Sequence, residues 1–249
     1  MPPRTAPPSA LRDALEHRED KQELVDWVFS RVADRYDLGN DIMSMGWHTR
    51  WKRRLVASAD IQPHHRVLDI ACGTGDTTFM LGALACQGEV VGTDINTDMM
   101  ALAEHKRPQN TDHVRFLAAD ATSLPLEDAS FDRITCTYAG RGFPDWPGVL
   151  REAHRLLKPG GTFWNLDFAR PPVGVVDWGY RAWLATSGAV LGVALHGHPK
   201  TYIYIAESLK AYKGQRWLHE RMKDEGFEAY LEETFLGLMA YNHGKKVES

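Results

Sequence analysis

The stretch Val67-Leu68-Asp69-Ile70-Ala71-Cys72-Gly73-Thr74-Gly75-Asp76 constrains this chain more than any other. A short apolar run ends in an acid, passes through a Gly-Thr-Gly turn and enters a polar segment that reads as the start of a helix. The pattern is a strand, a loop whose backbone N–H groups can face a ligand, and a helix N-terminus. Glycine is needed there because no Cβ then stands between the main chain and a bound molecule. A second acid, Asp94, ends the next apolar run, Glu89-Val90-Val91-Gly92-Thr93-Asp94. In α/β nucleotide folds the acid after the second strand grips ribose hydroxyls.

The glycine spacing discriminates between nucleotides. A dinucleotide loop carries three glycines, and Thr78 stands where the third belongs. Its pyrophosphate would rest on the helix N-terminus, where Asp76 places a negative charge. A ligand with a ribose, a sulfonium and an ammonium but no phosphate suits Asp69, Asp94 and the loop Gly73-Thr74-Gly75 better. S-adenosylmethionine is such a ligand.

The bulk composition narrows the classes. The chain has 249 residues, a formal charge of −4 and 43% hydrophobic residues. That suits one larger α/β domain with a full core and does not suit a nucleic-acid binder. The one basic run, Arg50-Trp51-Lys52-Arg53-Arg54, reads first as a solvated helix end and second as a contact for an anionic membrane surface. Cys72, Cys86 and Cys136 form no C-x-x-C pair, so neither a disulfide framework nor a zinc site is expected, and a reducing cytoplasm is the natural compartment. His196 and His198 lack an evident third ligand, and no metal is assigned. The proline-rich start has no apolar core of a signal peptide.

Along the chain, residues 1–20 read as a disordered lead-in and 21–249 as a single domain. Apolar spacing predicts helix from Gln22 to about Arg35, and Trp47 to Ser58 looks helical again. Together they make a helical cap over 21–60. Strands are predicted near 66–70, 89–93, 113–118, 131–137 and 162–168, with helices near 75–85, 97–106, 146–157 and 214–225. This alternation argues a doubly wound parallel sheet. Two further strand-like runs, 227–234 and 236–243, are separated only by a short turn and must pair as an antiparallel hairpin. A seven-stranded, Rossmann-like α/β sheet closed by such a hairpin is a methyltransferase architecture; a dehydrogenase would continue with another crossover. Within an insertion over 171–213, residues 182–195 are apolar and too short to span a bilayer, which takes about twenty residues. That segment reads as a buried helix, a lid over an apolar substrate, or a surface that meets lipid.

At this point the chain resembles the ubiquinone/menaquinone biosynthesis C-methyltransferases. The segment Val32-Ala33-x-x-Tyr36-Asp37-x-x-Asn40-Asp41-x-Met43-Ser44-x-Gly46-x-His48-x-x-Trp51-Lys52-Arg53 is specific to that family. The glycine loop, Gly92-x-Asp94-Ile95-Asn96, Leu124-Pro125-Leu126, Ser130-Phe131-Asp132 and Leu156-Leu157-Lys158-Pro159-Gly160-Gly161 are shared by many methyltransferases. The resemblance runs from about residue 21 to about 246. It implies an S-adenosylmethionine site lined by Asp69, Gly73, Thr74, Gly75, Asp94, Ile95, Asp120, Ala121 and Thr137. One departure stands out: where the family reads Phe-Gly-x-Arg-Asn, this chain has Tyr138-Ala139-Gly140-Arg141-Gly142.

The implied chemistry is transfer of a methyl group to a ring carbon of a prenylated quinol, most simply demethylmenaquinol. A ring carbon becomes nucleophilic when a neighbouring hydroxyl loses its proton, so a group must stabilise the resulting oxyanion. Arg141 is the candidate, with Tyr36 beside it and Asp41 and His48 in the cap as further candidates; an ordinary ion pair of Arg141 with Asp145 or Glu152 is the competing reading. A ubiquinone-pathway acceptor, a small-molecule O- or N-methyltransferase and a non-catalytic cofactor-binding subunit of a quinone-synthesis complex remain alternatives. Peripheral membrane contact and a homo-oligomer are also left open.

Overall fold

The computed structural model describes Leu24, Ser44, residues 46–171, Gly174, and residues 178–180, 182–184, 186–188 and 207–247. Tyr36, Asp41, His196, His198 and most of the expected first cap helix lie outside them. The described elements run in the order α1 (Trp47–Ser58), β1 (Arg66–Ile70), α2 (Asp76–Leu84), β2 (Glu89–Asp94), α3 (Thr97–His105), β3 (Val114–Ala118), β4 (Phe131–Thr137), α4 (Trp146–Leu156), β5 (Leu157–Phe168), α5 (Gln215–Asp224), β6 (Phe227–Thr234) and β7 (Met239–Lys246). A single 3-10 turn, Gly140–Gly142, follows β4.

The strands form one seven-stranded sheet in the order β3-β2-β1-β4-β5-β7-β6. β1 to β5 are parallel, and β7 runs antiparallel to both β5 and β6. The hairpin inferred from the short turn is thus present. Its second strand begins at Met239 rather than at 236, because Phe235, Leu236 and Gly237 all take positive φ (53°, 59° and 80°) to make the turn. Likewise β5 starts at Leu157, earlier than expected, with a register shift against β4 between Phe131 and Arg133.

The central strands are buried on both faces, as parallel sheets are. Leu68, Ile70, Ile134, Phe163, Leu150 and Leu156 pack on the side of α4 and α5. Val67, Val90, Leu81, Leu55 and Leu166 pack on the side of α1 and α2. In α4 the buried residues Trp146, Val149, Leu150, Ala153 and Leu156 follow helical spacing. Its N-terminus is capped by Asp145, whose carboxylate accepts from the Gly148 N–H at 2.9 Å. Of the described part of the insertion, 178–180, 182–184 and 186–188 are helical, and Leu184 packs with Leu209, Tyr212, Phe168 and Tyr180. No helix among the described residues is long and apolar enough to cross a membrane.

Candidate functional site

Strand order reverses between the parallel neighbours β1 and β4, which makes the carboxyl ends of those strands the crevice where open α/β sheets take ligands. Both strands leave that crevice through a residue that is not glycine yet has positive φ: Ala71 at 53° and Tyr138 at 61°. Such backbone costs about 1–3 kcal/mol per residue and clusters at functional sites.

The glycine loop is built as its residues require. Gly73 has φ 56°, and a Cβ added there would meet nothing within 4 Å, so the loop presents bare backbone to open space. Gly75, at φ 82°, has a different reason to be glycine: a Cβ would come within 3.0 Å of Phe79 and Phe116. Asp94 shapes the opposite wall. One oxygen accepts from the Gly73 N–H and the other from the Asn96 N–H, each at 2.8 Å. Asn96 in turn caps α3 by accepting from Met99 N–H. Ile95, next in sequence, is 45% exposed although large and apolar.

Asp120, past β3, is exposed, with one oxygen accepting from the backbone and hydroxyl of Thr122. Ala121 packs half-buried against the core. Thr74 is buried in the loop. The Thr137 hydroxyl shares a 2.9 Å hydrogen bond with that of Thr77, linking the end of β4 to the first turn of α2 across the crevice. At the carboxyl ends of β1, β2, β3 and β4 the chain thus offers two carboxylates, bare loop backbone and an exposed aliphatic side chain. That donor and acceptor set fits an adenosine with a cationic amino-acid arm.

Asp69 sits differently from Asp94. It is fully buried, and its two oxygens accept from the hydroxyls of Thr78 and Thr135 at 2.7 Å each. Burial pushes its carboxyl up to about 6, and the two hydroxyls and Lys52 only partly counter this. Asp69 therefore ties the loop's helix to β4 from behind the loop. It also explains Thr78, the residue in the third-glycine place, which is the donor that Asp69 uses.

Asp76 needs a correction too. The argument from a bare acid on the helix N-terminus fails, because Lys52 at 3.3 Å and Lys106 at 2.7 Å both pair with it. Burial raises its carboxyl, but the two lysines outweigh burial and hold it below its ordinary value. Lys52 itself is buried, so the basic run is not a solvated helix end throughout: one of its members bridges α1 to the glycine-loop helix.

On the other side of the crevice, Arg141 is buried with 6% exposure. Its partner is neither Asp145, which caps α4, nor Glu152, which accepts from Leu124 N–H and Arg155. It is Asp167, near the end of β5. The Arg141 Nε donates to Asp167 Oδ1 at 2.7 Å and its backbone N–H to Oδ2 at 3.0 Å. Nη1 donates to Ser208 at 3.1 Å, and the guanidinium lies 4.6 Å from the centre of the Phe168 ring. Gly140 is glycine because a Cβ would strike Trp146 at 2.4 Å and reach Asp167 at 3.1 Å. His48 stays in α1, bonded to Ser44, while its carbonyl accepts from the Tyr138 hydroxyl at 3.4 Å. Asp167 and Ser208 were not singled out in the sequence, and Lys52 only as a member of the basic run and of the family segment. Asp167 lies near the end of β5 after an apolar run, the same signal that flagged Asp94, but no glycine loop accompanies it.

The profile of the ubiE/COQ5 methyltransferase family matches residues 16–246. A demethylmenaquinone methyltransferase of Thermus thermophilus is 37% identical over 219 residues, 88% of this chain and 100% of that protein. The ubiquinone/menaquinone biosynthesis C-methyltransferase UbiE of Acidiphilium cryptum is 37% identical over 228 residues, 91% of each chain. Among solved structures, a SAM dependent methyltransferase from Aquifex aeolicus superposes with a TM-score of 0.59 at 16% identity, covering 79% of this chain and 89% of its own. A phosphoethanolamine N-methyltransferase 2 of Haemonchus contortus, solved with S-adenosylhomocysteine, gives 0.59 at 16% identity, covering 97% and 61%. These last two show the shared fold.

Proposed function

The chain belongs to the ubiE/COQ5 methyltransferase family, and from that premise we propose that it methylates a ring carbon of a prenylated quinol in respiratory quinone biosynthesis, with demethylmenaquinol as the acceptor. The observation that carries this reading is the buried Arg141–Asp167 pair beside the glycine-loop crevice. A carbon nucleophile of this kind needs a fixed cation near the acceptor's oxygen, and a neutral amine acceptor does not.

The cofactor is S-adenosylmethionine, which when bound supplies a methyl group on a sulfonium. We assign the ribose hydroxyls to Asp94, one face of the adenine to Ile95, and the adenine amino group to Asp120 beside Ala121. Gly73, Thr74 and Gly75 shape the floor, and Thr137 lies at the transfer end. Asp69 acts through Thr78 and Thr135 as a positioning residue rather than as a contact. On the acceptor, the hydroxyl beside the reacting carbon loses its proton and that carbon becomes the nucleophile. Arg141 would hold the anionic oxygen while the carbon–carbon bond forms at the expense of the cofactor's sulfur–methyl bond and the neutral thioether leaves. Shift of the ring proton from the methylated carbon to that oxygen then restores the aromatic quinol, and the one proton first released from the hydroxyl passes to solvent water. A preorganised donor of this kind contributes about 10²–10³-fold in rate.

A benzoquinol acceptor of the ubiquinone pathway is the second reading, favoured by the name of the Acidiphilium relative. The test is incubation of the purified protein with labelled S-adenosylmethionine and either a short-chain demethylmenaquinol or the benzoquinol precursor. Label in the naphthoquinol is expected; label in neither would overturn the reading.

We further assign a peripheral membrane contact to the rim of this crevice. Met239 pairs with Phe168, so the β6–β7 turn lies at the carboxyl end of the parallel strands. There Trp47, Phe235 and Leu236 are 39%, 48% and 79% exposed, and exposed Arg50 and Arg53 stand on the same helix as Trp47. Aromatic rings and arginines suit an anionic interface. Co-sedimentation with anionic vesicles should fall for Phe235→Ser with Leu236→Ser, and equal binding by wild type and variant would sink the assignment.

A further inference from the structure

We propose that the Tyr180 hydroxyl, unpaired among the described residues, is the hydrogen-bond partner of the acceptor's ring oxygen. The inference rests on the quinol reading above and names the residue that recognises the acceptor.

Tyr180 Oη is shut off from solvent and has no hydrogen-bond partner among the described residues. A buried hydroxyl in that condition is costly and is ordinarily paired. Thr93, Asn165 and Asn242 also carry unpaired buried oxygens, but they belong to β2, β5 and β7. Tyr180 instead belongs to the insertion that follows β5. It packs in one cluster with Leu184, Leu209, Tyr212 and Phe168. Phe168 is the ring that Arg141 covers, and Ser208, beside Leu209, takes a hydrogen bond from Arg141.

The unpaired phenol is thus set among apolar groups and beside a buried ion pair. Its phenol also senses the charges of Arg141 and Asp167, and burial raises it well above the usual tyrosine range, so it remains a neutral donor at any working pH. An apolar ring bearing an oxygen matches this environment. The ring would be received by the leucines and Tyr212, and its oxygen by a cation and a neutral donor together. Tyr180 donates its proton as a hydrogen bond and transfers nothing, so no proton or electron balance changes at this residue.

The experiment uses Tyr180→Phe in the full chain, which keeps the ring and removes only the oxygen. Binding is measured calorimetrically in the presence of S-adenosylhomocysteine, with a short-chain demethylmenaquinol and with the analogue lacking the hydroxyl beside the acceptor carbon. Wild type should bind the diol about tenfold or more tightly than the analogue. Tyr180→Phe should lose most of that preference, keeping only the part that Arg141 supplies, with unchanged affinity for S-adenosylhomocysteine. Its melting temperature should hold or rise by about 2–4 °C, because an unsatisfied buried oxygen has gone. Undiminished preference for the diol in Tyr180→Phe overturns the assignment. So does a fall in melting temperature, which would show the hydroxyl to be structural. If wild type binds the diol no better than the analogue and transfers no methyl to it, the quinol reading fails as well; an active wild type with an indifferent Tyr180→Phe removes the Tyr180 assignment alone.

Discussion

Around the glycine loop, the bonds that set the loop and the acid facing it join residues near in sequence, Asp94 to Asn96 across two positions, Asp69 to Thr78 across nine and Gly73 to Asp94 across 21, and only the ties to β4, Asp69 to Thr135 and Thr77 to Thr137, reach across 66 and 60. Around Arg141 the separations are 26 to Asp167, 67 to Ser208 and 90 between Tyr138 and His48. The first half is a βαβ unit that carries its own instructions, since the strand, the glycine turn and the capped helix each follow from local chemistry. The second half exists only once β4, β5, the insertion and α1 have met. In the proposed function, cofactor recognition would therefore rest on a motif that many proteins can share, and acceptor recognition on contacts between distant elements.

The largest test of that contrast is Asp167→Ala. Removing the carboxylate from a buried guanidinium should cost about 3–5 kcal/mol in chemical denaturation. Below the variant's melting temperature, S-adenosylmethionine affinity should remain within about twofold. A loss of cofactor affinity as large as the loss of stability would mean that the two halves are not separable.

Asp69 probes the loop half through pH. Its folded carboxyl titrates at about 6 against an ordinary 3.8. In that window the folded state binds the extra proton, so stability falls as pH rises from about 4 to about 6, by on the order of 3 kcal/mol. Asp76, Glu89 and Asp132 have the opposite sign: their carboxyls are held low, and stability is lost as pH falls through their range. The contribution of Asp69 is therefore read as a difference. Subtracting the stability profile of Asp69→Asn from that of wild type should leave a slope confined to about pH 4–6, and a flat difference would remove the buried-carboxylate account.

A smaller effect is expected from Asp94→Asn. Exchanging a charged acceptor for a neutral one should weaken S-adenosylmethionine binding by about 10–100-fold, the equivalent of about 1.5–3 kcal/mol. The acceptor KM at saturating cofactor should stay put. A matching rise in acceptor KM would show that Asp94 organises both halves.

How much could be read beforehand follows the same division. β1, β2, α3, α4 and the β6–β7 hairpin lie where periodicity and capping residues put them, within a few positions. The start of β7 moved because a turn through positive φ at Phe235 and Leu236 is costly for those residue types and is not announced by them. Arg141 was legible as a cation after β4, but its partner was not. Asp145 and Glu152 are nearer in sequence, yet each is already committed, one to the α4 cap and the other to Leu124 and Arg155.

From residue order alone come the alternating α/β pattern, the closing hairpin, the glycine loop and the acid that faces it. These depend on neighbours within a few turns of chain, where φ preferences, side-chain period and capping act directly. The burial of Asp69 behind the loop, the two lysines on Asp76, the Arg141–Asp167 pair and the unpaired Tyr180 hydroxyl belong to the folded molecule. Each depends on which distant side chain reaches a polar group first, and on how much water the packed core has already expelled from around it.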